Sequence, residues 1–186
     1  MVRTILTLTT FLLFLSCKQL NTRNNNTNSE LMDKVLTKSG IGKILLGAPF
    51  EKIREDYSIY KFKEEPEFWG YTFSDSKESF RMFLTVINDT LEGITLNDTN
   101  FRLDNGLRVG DPISRIKKEY PNLTIYFDHH DEVEYFEMFE QSTVLRIEVE
   151  SNEQGYLGKY NSEVQDSATE YNINGKILTL GMFRNK

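Results

Sequence analysis

A twelve-residue segment occurs twice in this chain, at residues 46–57 and 109–120. The two copies align without a gap, so each residue of the first copy lies 63 positions before its counterpart in the second. Leu46, for example, corresponds to Val109. A constant spacing of this length is typical of a duplicated structural unit. Four aligned positions carry the same residue in both copies: Gly47 and Gly110, Pro49 and Pro112, Ile53 and Ile116, and Tyr57 and Tyr120. Any fold of the chain must therefore use this segment twice.

Each copy predicts a short strand, a turn and a helix. Apolar residues alternate ahead of the glycine, which permits a tight turn, and the proline follows where the first helical residue is expected. Phe50, Ile53 and Tyr57 then have helical spacing, which recurs in the second copy, so one stripe of each helix should be buried. Asp111 directly precedes the second proline and is the expected N-cap of the second helix.

Alternating apolar residues predict an antiparallel meander after each helix. No Pro/Ser-rich linker separates the two units, so they should share one sheet. The sequence therefore predicts an α+β domain at residues 40–186, made of two tandem repeats at 40–100 and 101–186. The expected strands are 59–62, 68–73, 80–87 and 91–96 in the first repeat, and 123–127, 133–139, 144–149 and 176–183 in the second.

This order of strand, Gly-x-Pro turn, helix and meander resembles that of small envelope proteins with the BamE/SmpA-OmlA fold. The tandem duplication is similar to the β-lactamase-inhibitor-protein-like arrangement. The resemblance implies an envelope scaffold, and it transfers no catalytic residue because the shared positions are structural. It covers roughly residues 42–149 and rests on Gly47, Pro49, Ile53, Gly110, Pro112 and Ile116.

The amino-terminal residues 1–16 have the features of a signal peptide, with Arg3 ahead of a short apolar run. Residues 13–17, Leu-Phe-Leu-Ser-Cys, resemble a bacterial lipobox. The resemblance implies diacylglyceryl transfer to the Cys17 thiol, cleavage after Ser16 and acylation of the new amino terminus with a palmitate-type chain. The alternative is an ordinary secretory signal that happens to contain a cysteine.

Composition indicates how the chain is placed in the cell and which partners it excludes. The asparagine-rich stretch after Cys17 predicts a flexible tether over residues 17–39. We expect a periplasm-facing location in the bacterial cell envelope, lipid-anchored to a membrane, most simply the outer membrane. A net charge of -6, from 28 acidic and 22 basic residues, disfavours binding to nucleic acid.

Two groups of residues are candidates for a partner or ligand surface. Trp69 and Tyr71 could form an exposed aromatic platform for a glycan or peptide, although such strands more often supply core residues. Residues 128–153 contain nine acidic residues and a single Arg or Lys, Arg146. Their outward-facing members could bind a basic partner or simply keep a sheet face soluble. The acidic candidates are Glu134, Glu148 and Glu150.

The pair His129 and His130 is the weak candidate for a metal site, in a segment that also fits a solvated turn. Neither a metal nor another cofactor is expected, and no catalytic motif is present in the sequence. The leading hypothesis is a non-catalytic envelope lipoprotein that binds another envelope protein as a scaffold, assembly factor or inhibitor. The alternative is a small-ligand or glycan-binding envelope module.

Overall fold

β-Strands dominate the structure, a computed structural model that describes residues 34–150, 155–160 and 166–185. Strand accounts for 48% of it and helix for 12%, so the α+β prediction is wrong and the fold is mostly β. The predicted signal peptide, Cys17 and most of the predicted tether lie outside the described residues. The helices are α1 (Phe50–Asp56) and α2 (Ile113–Glu119), with a 3₁₀ turn at Pro66–Phe68.

The strands form one sheet of nine and one of four. The large sheet has the order β12-β9-β10-β11-β13-β7-β6-β5-β4, with every neighbouring pair antiparallel. The small sheet has the order β3-β2-β1-β8. The strands are β1 (Val35–Thr37), β2 (Gly40–Ile41), β3 (Ile44–Leu45), β4 (Lys61–Glu65), β5 (Gly70–Ser74), β6 (Arg81–Ile87), β7 (Thr90–Leu96), β8 (Arg102–Leu103), β9 (Ile125–Asp128), β10 (Val133–Phe139), β11 (Thr143–Glu150), β12 (Ser167–Ala168) and β13 (Lys176–Arg184).

A row of apolar side chains crosses all nine strands on one face of the large sheet. Each member lies directly opposite the next across a strand pair, and eight of the nine are buried. Such directly opposed pairs are the unit of sheet stabilisation, and this row is the floor of the core. It consists of Phe62, Phe73, Met82, Leu96, Leu180, Ile147, Phe136, Ile125 and Ala168.

The two repeats make the same backbone hydrogen bonds. Gly47 donates to the carbonyl of Leu91 at 2.8 Å, and Gly110 donates to that of Ile177 at 2.8 Å. Both glycines have a positive φ, 82° and 85°, which a residue without Cβ adopts at low cost. Each helix is therefore fixed against the last strand of its own unit, β7 or β13. The shared Gly-x-Pro segment serves this docking.

An irregularity is duplicated as well. Glu92 is an extra residue in β7 opposite Thr85 and Val86, and Leu178 is the corresponding extra residue in β13. Counterparts in these last strands are separated by 86 positions because a longer connection precedes β13. The two units meet where β7 pairs with β13, around the central pair Thr95 and Gly181. They are related there by an approximate two-fold rotation.

The four-stranded sheet breaks this symmetry. β1 pairs antiparallel with β2 of the first unit and parallel with β8 of the second, so it joins the two units. Leu36 in its centre is 1% exposed. The prediction of a tether extending to residue 39 is thus too long, because the chain is already part of the fold at Val35. Within the described residues, neither helix has the length and apolar content needed to span a membrane.

The helix starts differ from the prediction by one residue. Pro49 and Pro112 are the N-caps, and no side chain caps either helix. Asp111, predicted as an N-cap, instead accepts a hydrogen bond from the Arg108 backbone N–H at 2.7 Å and from the Arg115 guanidinium at 2.5 Å. Its carboxylate therefore holds the turn and the first helical turn together. The buried stripes are as expected, with Phe50 and Ile53 each 2% exposed.

Candidate functional site

The face of the large sheet opposite the core remains in contact with solvent. Most residues that alternate with the buried row are half-buried or exposed in strands from both units, whereas Gly70, Ser74, Gly93 and Gly181 are buried. We call this the outer face. Antiparallel sheets commonly leave one face solvated, and its side chains are then mostly polar. The outer face departs from that expectation in one place.

A row of uncharged, mostly apolar residues crosses six strands of the outer face. Its members are directly opposed across successive strand pairs, from β10 to β5, and together contain no charged side chain. With about 4.8 Å between strands, the row is about 24 Å long. We call it the outer apolar row: Phe139, Val144, Phe183, Gly93, Thr85 and Gly70.

The middle of this row is flat because its rings lie on glycines. A Cβ at Gly93 would come within 2.4 Å of the Phe183 ring, and one at Gly181 within 2.6 Å. A Cβ at Gly70 would likewise meet the Phe83 ring at 2.6 Å. The glycines therefore let aromatic rings lie against the backbone, which presents a low, continuous apolar surface.

Exposed aromatic side chains stand at both ends of the outer apolar row. Phe139 is 66% exposed at one end, and Trp69, next to Gly70, is 74% exposed at the other. Phe68 beside it is 65% exposed and contacts Phe83 edge-on. Isolated exposed apolar residues are ordinary, but aromatic residues aligned on one face are typical of binding surfaces.

The predicted pair Trp69 and Tyr71 does not form a single platform. Trp69 lies in a turn with φ 49°, outside β5, although the sequence placed it in that strand. Tyr71 faces the core and stacks on Phe50 with ring centroids 4.3 Å apart. Trp69 adjoins the Gly70 end of the outer apolar row, whereas Tyr71 is on the core side of the sheet.

The predicted acidic surface loses one of its members. Glu134 is 2% exposed and faces the core side, two residues before the buried Phe136. Its carboxylate accepts hydrogen bonds from the backbone N–H groups of Leu157 and Gly158, each at 2.7 Å, and from the Tyr160 hydroxyl at 3.0 Å. The prediction that Glu134 lies outward is therefore wrong. It fastens residues 157–160 to β10.

Glu148 and Glu150 do lie away from the core, on β11. Glu148 accepts a hydrogen bond from the Thr179 hydroxyl at 2.8 Å and lies 3.4 Å from the Nε of Arg146. The Arg146 guanidinium sits 3.9 Å from the centroid of the Tyr135 ring, a cation–π contact. Burial, followed by the charge of Glu137, raises the pKa of Tyr135. Glu150 is exposed.

The histidine pair lies in the turn between β9 and β10. His129 Nε2 is 2.9 Å from a carboxylate oxygen of Asp166, and His130 is exposed. Asp128 accepts the His130 backbone N–H, which holds the pKa of that carboxyl below its usual range. Among residues 34–150, 155–160 and 166–185, no three or more His, Cys, Asp or Glu side chains are placed to share a metal ion.

A shallow groove of about 450 Å³ opens beside the first-unit end of the outer apolar row. Phe68 and Phe83 supply aromatic surface, while Glu65, Thr72, Thr95 and Asn97 supply polar groups. Sequence reasoning did not find this groove or the outer apolar row. The available signal was the phase of the strands, because Phe83 and Phe183 alternate with the residues predicted to be buried.

Comparisons with known proteins place the fold and do not assign an activity. The chain is similar to the crystal structure of the uncharacterized protein yfeY from Escherichia coli, with a TM-score of 0.51 and 16% sequence identity. The match covers 81% of this chain and 99% of that one. At this identity the likeness concerns the fold alone. No protein-family model matches the chain, and no curated protein does.

Proposed function

We propose that this chain is a non-catalytic, lipid-anchored protein of the bacterial cell envelope that binds a partner protein through its outer apolar row. The observation that carries the proposal is the row itself, about 24 Å of uncharged surface between exposed aromatic residues. The anchor is supported by the lipobox resemblance at Cys17. A lipid anchor would keep the protein close to other envelope proteins, and the proposed partner is one of these.

The chemistry of the surface indicates what the partner presents. Phe139 and Trp69 are the natural anchors, because hot spots at interfaces are enriched in aromatic residues that fill pockets on the partner. In the second unit, Glu137, Glu148 and Glu150 lie on the outer face, and Arg146 there is already flanked by carboxylates. The complementary partner surface is an apolar ridge with a basic rim.

Site-specific photo-crosslinking in cells tests this surface. A photoreactive residue in place of Val144, in the row, should give one discrete protein adduct. The same residue in place of Lys52, exposed on α1, is the matched control and should not give it. Replacing Phe68 and Trp69 together with serine should remove the Val144 adduct while the circular dichroism spectrum stays unchanged.

Two results would contradict the proposal. One is the absence of any discrete adduct from Val144 in cells that contain the protein at its native level. The other is an identical set of adducts from Val144 and Lys52, which would indicate non-specific proximity rather than a defined interface.

A second candidate function is the binding of a small ligand or glycan in the groove at Phe68 and Phe83. The favouring observation is the combination of aromatic surface with converging polar groups, which is common in ligand sites. A thermal-shift panel of envelope glycans and metabolites tests it, with Phe68→Ala as the control variant. Stabilisation that is equal in the variant, or absent throughout, would exclude this groove as the site.

A further inference from the structure

The approximate two-fold symmetry shows where the units differ inside the core. In the first unit, Phe80 is 7% exposed and packs edge-on against Phe101, with centroids 5.7 Å apart. The residue 63 positions later is Thr143, which is 4% exposed. Phe101 directly precedes β8, and the residue at the matching place before β2 is Ser39. Phe80 and Phe101, one residue from each unit, thus correspond to Thr143 and Ser39 at the symmetry-related place.

A cavity of about 210 Å³ opens beside Thr143 in the second unit. Leu36, Leu103, Leu145 and Met182 form an apolar lining, and each is at most 8% exposed. An apolar cavity of about 150 Å³ is already large enough to hold a benzene ring. The cavity opens to solvent on the side of Lys38, Asp104 and Glu140, which are exposed.

The mouth of the cavity is polar and carries net negative charge. Lys38 forms an ion pair with Glu140 at 2.5 Å, which raises the lysine pKa. Asp104, also at the mouth, makes no ion pair with any residue that the structure describes, although its charge also raises the Lys38 pKa. Two carboxylates therefore face one ammonium group at the mouth, which leaves one negative charge over. Tyr120 completes the mouth, and its pKa is raised first by burial and then by the charge of Asp104.

We propose that this cavity binds a small primary ammonium compound that carries an aromatic ring. The ring takes the place that corresponds to the Phe80 side chain of the first unit. The ammonium group stays at the mouth, close to Asp104, where it neutralises the unbalanced carboxylate. This site is separate from the outer apolar row, which lies on the opposite face of the sheet.

Methyl NMR of the full chain in detergent micelles tests the site, with 2-phenylethylammonium as the probe. The probe should shift the methyl signals of Leu145 and Met182, with a dissociation constant of about 1 mM for a ligand of this size. The neutral analogue 2-phenylethanol should bind about fivefold more weakly, since a partly solvated ion pair contributes about 1 kcal/mol. The anion 3-phenylpropionate should bind more weakly still.

Three variants separate the site from a general response of the protein. Thr143→Phe should restore the first-unit packing and abolish the shifts, while Thr143→Val keeps the void and should retain them. Asp104→Asn should bring the amine and the alcohol to similar affinities. Unperturbed Leu145 and Met182 signals in the parent chain, persistence of the shifts in the Phe variant, or an anion that binds as tightly as the amine would each overturn the proposal.

Discussion

At the scale of single residues, Glu134 shows how one inward-facing carboxylate organises a segment distant in sequence. Its two oxygens accept three hydrogen bonds from residues 157–160, so the carboxylate is buried with its acceptors used. A buried charge is tolerated when it is hydrogen-bonded in this way. The position 63 residues earlier is Tyr71, which packs on Phe50 instead. The same scaffold position is therefore used for packing in one unit and for fastening a loop in the other.

Replacing Glu134 with Gln tests this role. The amide nitrogen would face a backbone N–H, so that one donor loses its acceptor. We expect a loss of about 1–3 kcal/mol in the free energy of unfolding, measured by urea denaturation. Glu150→Gln, at an exposed position on the next strand, should change it by less than about 0.5 kcal/mol. Equal effects of the two substitutions would show that the Glu134 contacts contribute nothing specific.

Titration of the Tyr160 phenol is expected to lower the stability of the folded protein at alkaline pH. Burial, and then the charge of Glu134 and the hydrogen bond to it, raises the pKa of the Tyr160 phenol in the folded protein. The folded state then holds its proton more tightly than the unfolded chain, whose phenol titrates near pH 10. The stability that this provides is fully present below about pH 10 and falls as the pH rises above it.

Tyr160→Phe removes this titration and is the direct test. The variant should be less stable than the parent near neutral pH, because it lacks the hydrogen bond to Glu134. Above about pH 10 the free energy of unfolding of the variant should fall less steeply with pH than that of the parent. The difference in slope should correspond to the release of at most one proton on unfolding. Parallel pH profiles for parent and variant would mean that Tyr160 does not titrate differently on folding.

At the scale of elements, the last strand does more than the sequence indicates. β13 pairs with β11 of its own unit and with β7 of the other, so it lies in the centre of the sheet. Leu180 is fully buried there, opposite Leu96 on one side and Ile147 on the other. The two units therefore have no separate cores, and we expect them to unfold together.

Leu180→Ala tests this coupling. Deleting a buried leucine side chain should cost about 2–5 kcal/mol. The native methyl signals of Ile94 in the first unit and Ile125 in the second should disappear at the same denaturant concentration. The substitution should lower that concentration equally for both signals. A variant in which the Ile125 signal disappears first, with Ile94 unaffected, would show independent units.

At the scale of the whole molecule, the proposed anchor and the proposed binding surface depend on different parts of the chain. Cys17→Ala should abolish labelling by a radioactive fatty acid and release the protein from membranes. With this substitution, the photoreactive residue at position 144 should still form the same protein adduct in the soluble extract, although at lower yield. Unchanged detergent partitioning of the Ala variant would exclude the lipid anchor and leave the surface proposal standing.

Local features of the fold were predictable because they depend on near neighbours in the chain. The glycine and proline of each repeat place the turns, and the spacing of Phe50 and Ile53 locates α1 to within a residue. The 63-residue offset, extended beyond the repeat, also aligns Phe80 with Thr143 and so points toward the cavity. The fold class was misjudged because the helices are only seven residues each, whereas the strands continue through most of the chain.

The sequence by itself determined the duplicated unit, its turns, its short helices and most of its strands. Tertiary structure alone decided that β13 lies between β11 and β7, that β1 joins the two units, and that Glu134 points inward. The physical reason is that strands pair through backbone N–H and C=O groups, which nearly every residue carries. The sequence of a strand therefore does not identify which other strand it pairs with. Leu96 and Leu180 meet across β7 and β13 only because the two halves pack on one core.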